Sequence, residues 1–285
     1  MIEGVNYAEF APRPALAGLI ERLWTLVGEA GDLGGGDQPV LPDGRPELVL
    51  HFGTPFDRVD AIVGPHRQPG VLLAGQLTGR LLLRPRGRIA VLGVRFHPFG
   101  AAALDLGALS AFSGLTPGVD EIAPPLARAL SALRDRTGDP AAAVPLVQDV
   151  LARHADEARI DARVRQAVAL IGRRRGLVTI DRLAADVSWT RRHLERRFLI
   201  DVGLTPKRLA RIARFQRALR VLESATSPRR GSDTAAACGY ADQAHFIRDF
   251  RDLAGCAPGD HLVRQAVLTG FFTERAEPRA LRSPA

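Results

Sequence analysis

The sequence predicts an α+β protein with a β-rich N-terminal half and an all-helical C-terminal half. Three observations carry this. Residues 1 to about 120 hold short apolar runs punctuated by Gly, Pro and Asp. From Phe99 onward, apolar residues recur at spacings of three and four. Charge is segregated: residues 1–159 carry a net −3, residues 160–270 carry +10 and the tail +1, within an overall +8. A basic segment joined to a near-neutral one suggests a polyanion-binding module.

The composition bounds the rest. A chain of 285 residues favours about two domains, and 46% hydrophobic with 25% charged residues is ordinary for a globular protein. No window approaches 18 uninterrupted apolar residues, and "MIEGVNYAEFAPRP" lacks the basic and apolar regions of a signal peptide. A cytoplasmic protein without a membrane partner is expected. Cys238 and Cys256 have no metal-ligand spacing and read as two buried thiols. Nearly all the basic residues are Arg, Lys207 being the only lysine.

In order along the chain, "LIERLWTLV", "ELVLHFG", "DAIVG", "GVLLAG", "RLLLRP" and "IAVLGVRFHP" read as short strands of a sandwich or barrel. "GEAGDLGGGDQP" (28–39) reads as a flexible loop; it lacks the GK[ST] ending and the following helix of a phosphate cradle. "PPLARALSALRDRTG" and "PAAAVPLVQDVLARHAD" read as two helices that join the halves. The expected organisation is therefore 1–120 β-rich, 121–158 helical connector, 159–270 a basic, all-helical segment and 271–285 tail.

In "DVSWTRRHLERRFLIDVGLTP", Thr190 is placed to cap a helix that runs to about Ile200, ahead of Gly203. At about 100° per residue, Leu194 and Phe198 share one side. Arg192, Glu195, Arg196 and Leu199 take the other, and Arg191 and Arg197 flank the apolar stripe. The preceding "TIDRLAADV" is a short helix with Ile180, Leu183, Ala184 and Val187 inward, so the pair makes a helix-turn-helix. The same unit recurs. Leu194, Phe198, Gly203 and Pro206 have the spacing of Phe246, Phe250, Gly255 and Pro258, and Ala184 and Val187 match Ala235 and Cys238. Between the units "TPKRLARIARFQRALRVLES" reads as one long helix, with Thr205 as cap and Pro206 at its first position.

Two such units on a long helix, the second with "ACGYADQAHFIRDFR" followed by "GCAP", resemble the C-terminal DNA-binding domain of the AraC/XylS family of bacterial transcription regulators over roughly Asp161 to Leu268. "VLPDGRPELVLHFG" and "LGVRFHPFGAAAL" resemble the cupin-like regulatory domain of one branch of that family. Ser188 stands where the first turn usually has Gly, and Thr234 where the second unit usually has a larger apolar residue; both suggest slightly weaker packing.

A helix in the major groove reads base edges near its N-terminal half, and Arg chelates guanine O6 and N7. Outward geometry nominates Arg192, Glu195 and Arg196 as base contacts, and the resemblance implies the same positions. In the second unit a cap at Asp242 turns Ala244, Ile247, Arg248 and Arg251 outward, which adds Arg248 and, more weakly, Gln243. Thr179, Arg191, Arg208, Arg211, Arg214, His245 and Arg251 are candidate phosphate contacts, which set register without reading sequence. By spacing, the two helices enter successive major grooves about 34 Å apart.

The resemblance implies that the N-terminal half senses a small-molecule effector or forms a homodimer, with RNA polymerase as a partner if the protein activates. Trp24, His51, Arg95 and His97 are candidate effector-pocket residues, although strand faces are not assigned by sequence. His51, His66 and His97 raise a metal site, but no HxH pair with a following Glu accompanies them, so no metal or other cofactor is expected. With no nucleophile motif, carboxylate pair or cofactor fingerprint, the reading is a regulator and not an enzyme. Two rivals stand beside it: a cupin-like metal enzyme with a DNA-targeting tail, and a non-specific DNA-binding structural protein.

Overall fold

Alternation along the strands separates two faces of a sheet, and the chain uses both. The computed structural model describes residues 4–223 and 231–263; residues 264–270 of the expected DNA-binding region and the tail 271–285 lie outside the described residues. Nine strands form the N-terminal half: β1 (Asn6–Phe10), β2 (Ile20–Glu29), β3 (Gln38–Val40), β4 (Glu47–His51), β5 (Asp57–Asp60), β6 (Gly64–Arg67), β7 (Val71–Ala74), β8 (Leu81–Arg84) and β9 (Arg88–Phe96). They make a five-stranded sheet, β1-β2-β9-β4-β7, and a four-stranded sheet, β3-β8-β5-β6, with antiparallel pairing throughout.

The period of two fixes what each face of the larger sheet touches. Trp24 and Leu26 of β2 and Ile89 and Val91 of β9 meet Leu81 and Leu83 of β8 in a core between the sheets. The intervening residues Leu23, Leu48, Leu50, Leu92 and Val94 belong to the core on the opposite face. That face is covered by α2 (Pro124–Thr137) and α3 (Pro140–His154), which follow the short α1 (Val119–Ile122). The two helices expected as a connector thus share one apolar core with the sheet, through Leu126, Leu130, Val144, Val147 and Leu151. Gly93 is opposite Trp24 in the register, and a Cβ there would collide with the indole ring. A side chain at position 93 and Trp24 cannot both occupy the interior.

Two expectations need correction. "DAIVG" is not a strand: Ala61–Val63 form the turn between β5 and β6, and Ile62 and Val63 are 94% and 72% exposed. Asp60 shapes that turn by accepting from the Ile62 amide at 2.8 Å, which apolar content alone does not reveal. The glycine-rich stretch 28–39 is not an open loop either. It holds a 3-10 turn at Ala30–Leu33, buries Leu33, and is closed by Gln38 Nε2 donating to the Leu33 carbonyl at 2.7 Å.

The C-terminal half is helical: α4 (Ala162–Arg173), α5 (Ile180–Asp186), α6 (Arg191–Asp201), α7 (Pro206–Glu223), α8 (Gly231–Ala237), α9 (Gln243–Ala254) and α10 (Pro258–Val263). One apolar cluster runs from the outer face of the large sheet through α4 to α9, so both halves share a continuous core. The α+β class expected from sequence is the class observed.

Candidate nucleic-acid interface

Side-chain caps set where the helices of each unit begin. Thr179 Oγ1 accepts from the Arg182 amide at 3.3 Å to start α5, and Thr190 Oγ1 accepts from the His193 amide at 3.2 Å to start α6. Between them Ser188 has φ +55° and occupies the left-handed conformation of the turn. Its counterpart in the second unit, Gly239, has φ +74°. Asp242 then starts α9 by accepting from the His245 amide at 2.6 Å. Helices α6 and α9 each end at a left-handed glycine, Gly203 (φ +84°) or Gly255 (φ +71°), and the next helix opens on Pro206 or Pro258. The backbone therefore repeats with the side-chain spacing seen in the sequence.

The inward faces are those expected. Leu183, Ala184, Val187, Leu194 and Phe198 are buried in the first unit, with Ile180 half-buried; Ala235, Cys238, Phe246 and Phe250 are buried in the second. Burial pushes the Cys238 thiol up, which suits an inert core thiol. Thr234 is fully buried where more apolar volume was expected, and its Oγ1 has no hydrogen-bond partner among the described residues.

The outward faces sort the candidate residues. Arg192, Arg196, Arg248 and Arg251 are exposed and make no ion pair among the described residues, and Gln243 is exposed at the start of α9. Glu195 is tied to Arg191, with Oε1 3.0 Å from Nε, and Arg191 also lies 3.7 Å from Asp181. The hydroxyl of Thr179 is occupied as a cap. His245 is half-buried with its ring edge-on to Tyr240, centroids 5.3 Å apart.

The three candidate arginines of α7 have partners within the protein. Arg208 donates from Nη2 to the Thr78 carbonyl at 3.0 Å. Arg214 lies over the Tyr240 ring, 5.1 Å from its centroid. Arg211 is paired to Asp249 and, at 2.7 Å, to Asp252. Sequence reasoning missed Asp249 and Asp252. Each follows an outward arginine, a pattern that hints at a second charged face without naming its partner.

The candidate effector residues divide. Trp24, His51 and Arg95 line one cavity of about 70 Å³ between the sheets, together with Glu47, Phe56 and Gln68. His97 does not join them. It lies past the end of β9 and lines a cleft of about 610 Å³ between the halves, with Arg45, Arg165 and Gln216. Alternation on β4 places Glu47 and His51 on one face, the signal that would have found Glu47. Arg95 is 1% exposed and pairs with Asp43 and, at 2.7 Å, with Glu47. Burial works against its charge, but Asp43, Glu47 and Glu21 hold its pKa above the usual arginine value. Burial pushes Glu47 up despite Arg95. It pulls His51 down to about 4, leaving that ring neutral near pH 7.

Comparison with known proteins follows this geometry. A family described as a helix-turn-helix domain matches residues 183–264. The helix-turn-helix is a DNA-binding architecture. Residues 8–113 match a second family, a domain of unknown function (DUF6597). No curated protein matches the chain. Among solved structures, the chain is similar to a probable AraC family transcriptional regulator from Rhodopseudomonas palustris CGA009, at 29% identity over 37% of this chain and 99% of that one, TM-score 0.34. It is also similar to an AraC-type regulator from Chromobacterium violaceum, at 24% identity over 41% and 95%, TM-score 0.32. ToxT from Vibrio cholerae aligns over 91% of this chain and 97% of its own, at 10% identity and TM-score 0.44. No helix among the described residues is long and apolar enough to cross a membrane.

Proposed function

We propose that the protein is a cytoplasmic, sequence-specific transcription regulator that places α6 and α9 in successive major grooves on one face of DNA, under control of its N-terminal half. The observation that carries this is the pairing of two capped helices on one linker helix, each with unpaired arginines on its outward face. Arg192 and Arg196 on α6 and Arg248 on α9 are the base readers, by bidentate bonding to guanine. Glu195 accepts from cytosine N4 or, through its bond to Arg191, aims that guanidinium at the backbone. Gln243 is placed for a base edge at the start of α9. Arg191, Arg208 and Arg251 serve as phosphate contacts, Arg208 after leaving the Thr78 carbonyl. Thr179 and His245 contribute from the helix starts. The ring packing of Arg214 and the ion pairs of Arg211 argue for structural roles at those two positions.

Control by an effector is supported by the loop Pro42–Arg45. Asp43 and Arg45 line the interior cavity, while Gly44 faces α7, where a Cβ would lie 2.7 Å from Leu209 Cδ1. A ligand that shifts Arg95 and its partner Asp43 therefore displaces the surface on which α7 rests.

Library selection tests this reading. The full chain, offered random duplexes, should enrich a two-box motif and bind it about 10³-fold or more above random sequence. Equal binding to all duplexes, lost together as salt rises, would leave phosphate attraction alone.

A further inference from the structure

Two reading helices recognise paired half-sites only if their separation and relative angle are held. α6 leads into α7 through the short, buried connection Val202–Leu204, so the chain itself limits its orientation. α9 is attached differently, since α8 intervenes and side-chain contacts with α7 set its angle. One of these is aromatic: Phe215 meets Phe250 edge-on, with centroids 5.2 Å apart. α9 also places Phe246 and Leu253 in the apolar cluster that holds Leu219 of α7, but apolar contacts are non-directional and leave a roll of one helix on the other permitted. One turn earlier on α7, Arg211 pairs with both Asp249 and Asp252.

We infer that Arg211 is a positioning residue for DNA reading, whose clamp on Asp249 and Asp252 fixes the half-site spacing that α6 and α9 accept together. This rests on the DNA-reading function proposed above. The clamp residues interleave with the reading residues: Arg248 and Arg251 are exposed, while Asp249 and Asp252 take the adjoining face toward α7. At about 100° per residue, a roll of α9 that breaks the clamp also swings Arg248 and Arg251 along the DNA. Asp249 is 7% exposed at its side chain, and its Oδ2 has no hydrogen-bond partner among the described residues. Arg211 thus supplies the charge that such a buried carboxylate needs. With two carboxylates on it, the same guanidinium has little capacity left for phosphate, so it holds the reading surface from behind.

The test uses the full chain and the two-box duplex that selection yields. Binding is measured at the selected spacing and with one base pair inserted or removed, which turns one box by roughly 34° relative to the other. Arg211→Met/Asp249→Asn removes the buried pair without orphaning either charge. Asp252→Asn removes one pair at an exposed position where folding is not at risk. Wild type should lose about tenfold or more per base pair of misspacing, and the double variant less than about threefold, with Asp252→Asn between them. A uniform fall in affinity at every spacing, with the wild-type spacing penalty retained, would overturn the inference and return Arg211 to phosphate binding. A wild-type selection that yields no two-box site would overturn the paired-helix reading, and this inference with it.

Discussion

Gln216, buried midway along α7, donates from Nε2 to the carbonyl oxygen of Pro42 at 2.7 Å, joining the linker helix of the two helix-turn-helix units to the loop that walls the interior cavity. Both partners are buried, so the bond cannot be replaced by water without opening the contact. It is a direct link between the two halves. Ser113 Oγ, which donates to the Gly203 carbonyl at 2.5 Å, supplies a second one at the end of α6.

Gln216→Leu leaves the Pro42 carbonyl unpartnered in a dry contact. The expected cost is about 1–3 kcal/mol in stability, read as a lower urea midpoint. Docking of α7 on the loop should loosen at the same time. Hydrogen exchange at residues 43–45 is therefore expected to rise in the variant, and unchanged exchange would place the bond outside the coupling between the halves.

His51 makes stability depend on pH. Its folded pKa of about 4 lies below the ordinary 6.5 because burial disfavours the cation. The unfolded chain then binds the extra proton between these values. Its contribution is fully present above pH 6.5, is lost as pH falls toward 4, and amounts to about 3 kcal/mol. His51→Phe should flatten that part of the stability profile relative to wild type, in denaturation curves taken from pH 7 to 4. An identical slope in both proteins would assign the acid sensitivity to other groups.

Ser188 holds φ +55° where Gly239 serves the equivalent turn. Replacing it by glycine relieves left-handed strain but frees the unfolded chain, with a net gain of up to about 1 kcal/mol expected. Ser188→Gly should raise the melting temperature and leave DNA affinity unchanged. A lower melting temperature would mean that the Ser188 side chain stabilises the turn by more than its backbone costs.

Much of this architecture was legible in the residues. The helix-turn-helix units declare themselves because Leu194, Phe198, Gly203 and Pro206 and their later counterparts each answer a local demand: an inward stripe, a left-handed stop and a helix start. Local demands are visible in sequence. The fate of Arg211 is not, because its partners lie 38 and 41 residues away on another helix. Helical periodicity on α7 does not reveal which side α9 occupies. Similarly, His97 shares apparent strand alternation with Arg95, yet β9 ends at Phe96 and the chain turns away at Pro98, taking the imidazole out of the cavity. Ile62 and Val63 misled for the opposite reason, since Asp60 bends the backbone into a turn where hydrophobicity alone suggested a strand.

The most direct measurement compares Arg248→Ala with wild type by fluorescence anisotropy, on the selected two-box duplex and on a shuffled duplex, each at two salt concentrations. As a base reader on an exposed helix face, Arg248 should cost about 1–3 kcal/mol on the selected site and little on the shuffled one, so the ratio between them shrinks. Equal losses on both duplexes, growing weaker together as salt rises, would contradict sequence reading by α9 and reduce its role to phosphate attraction.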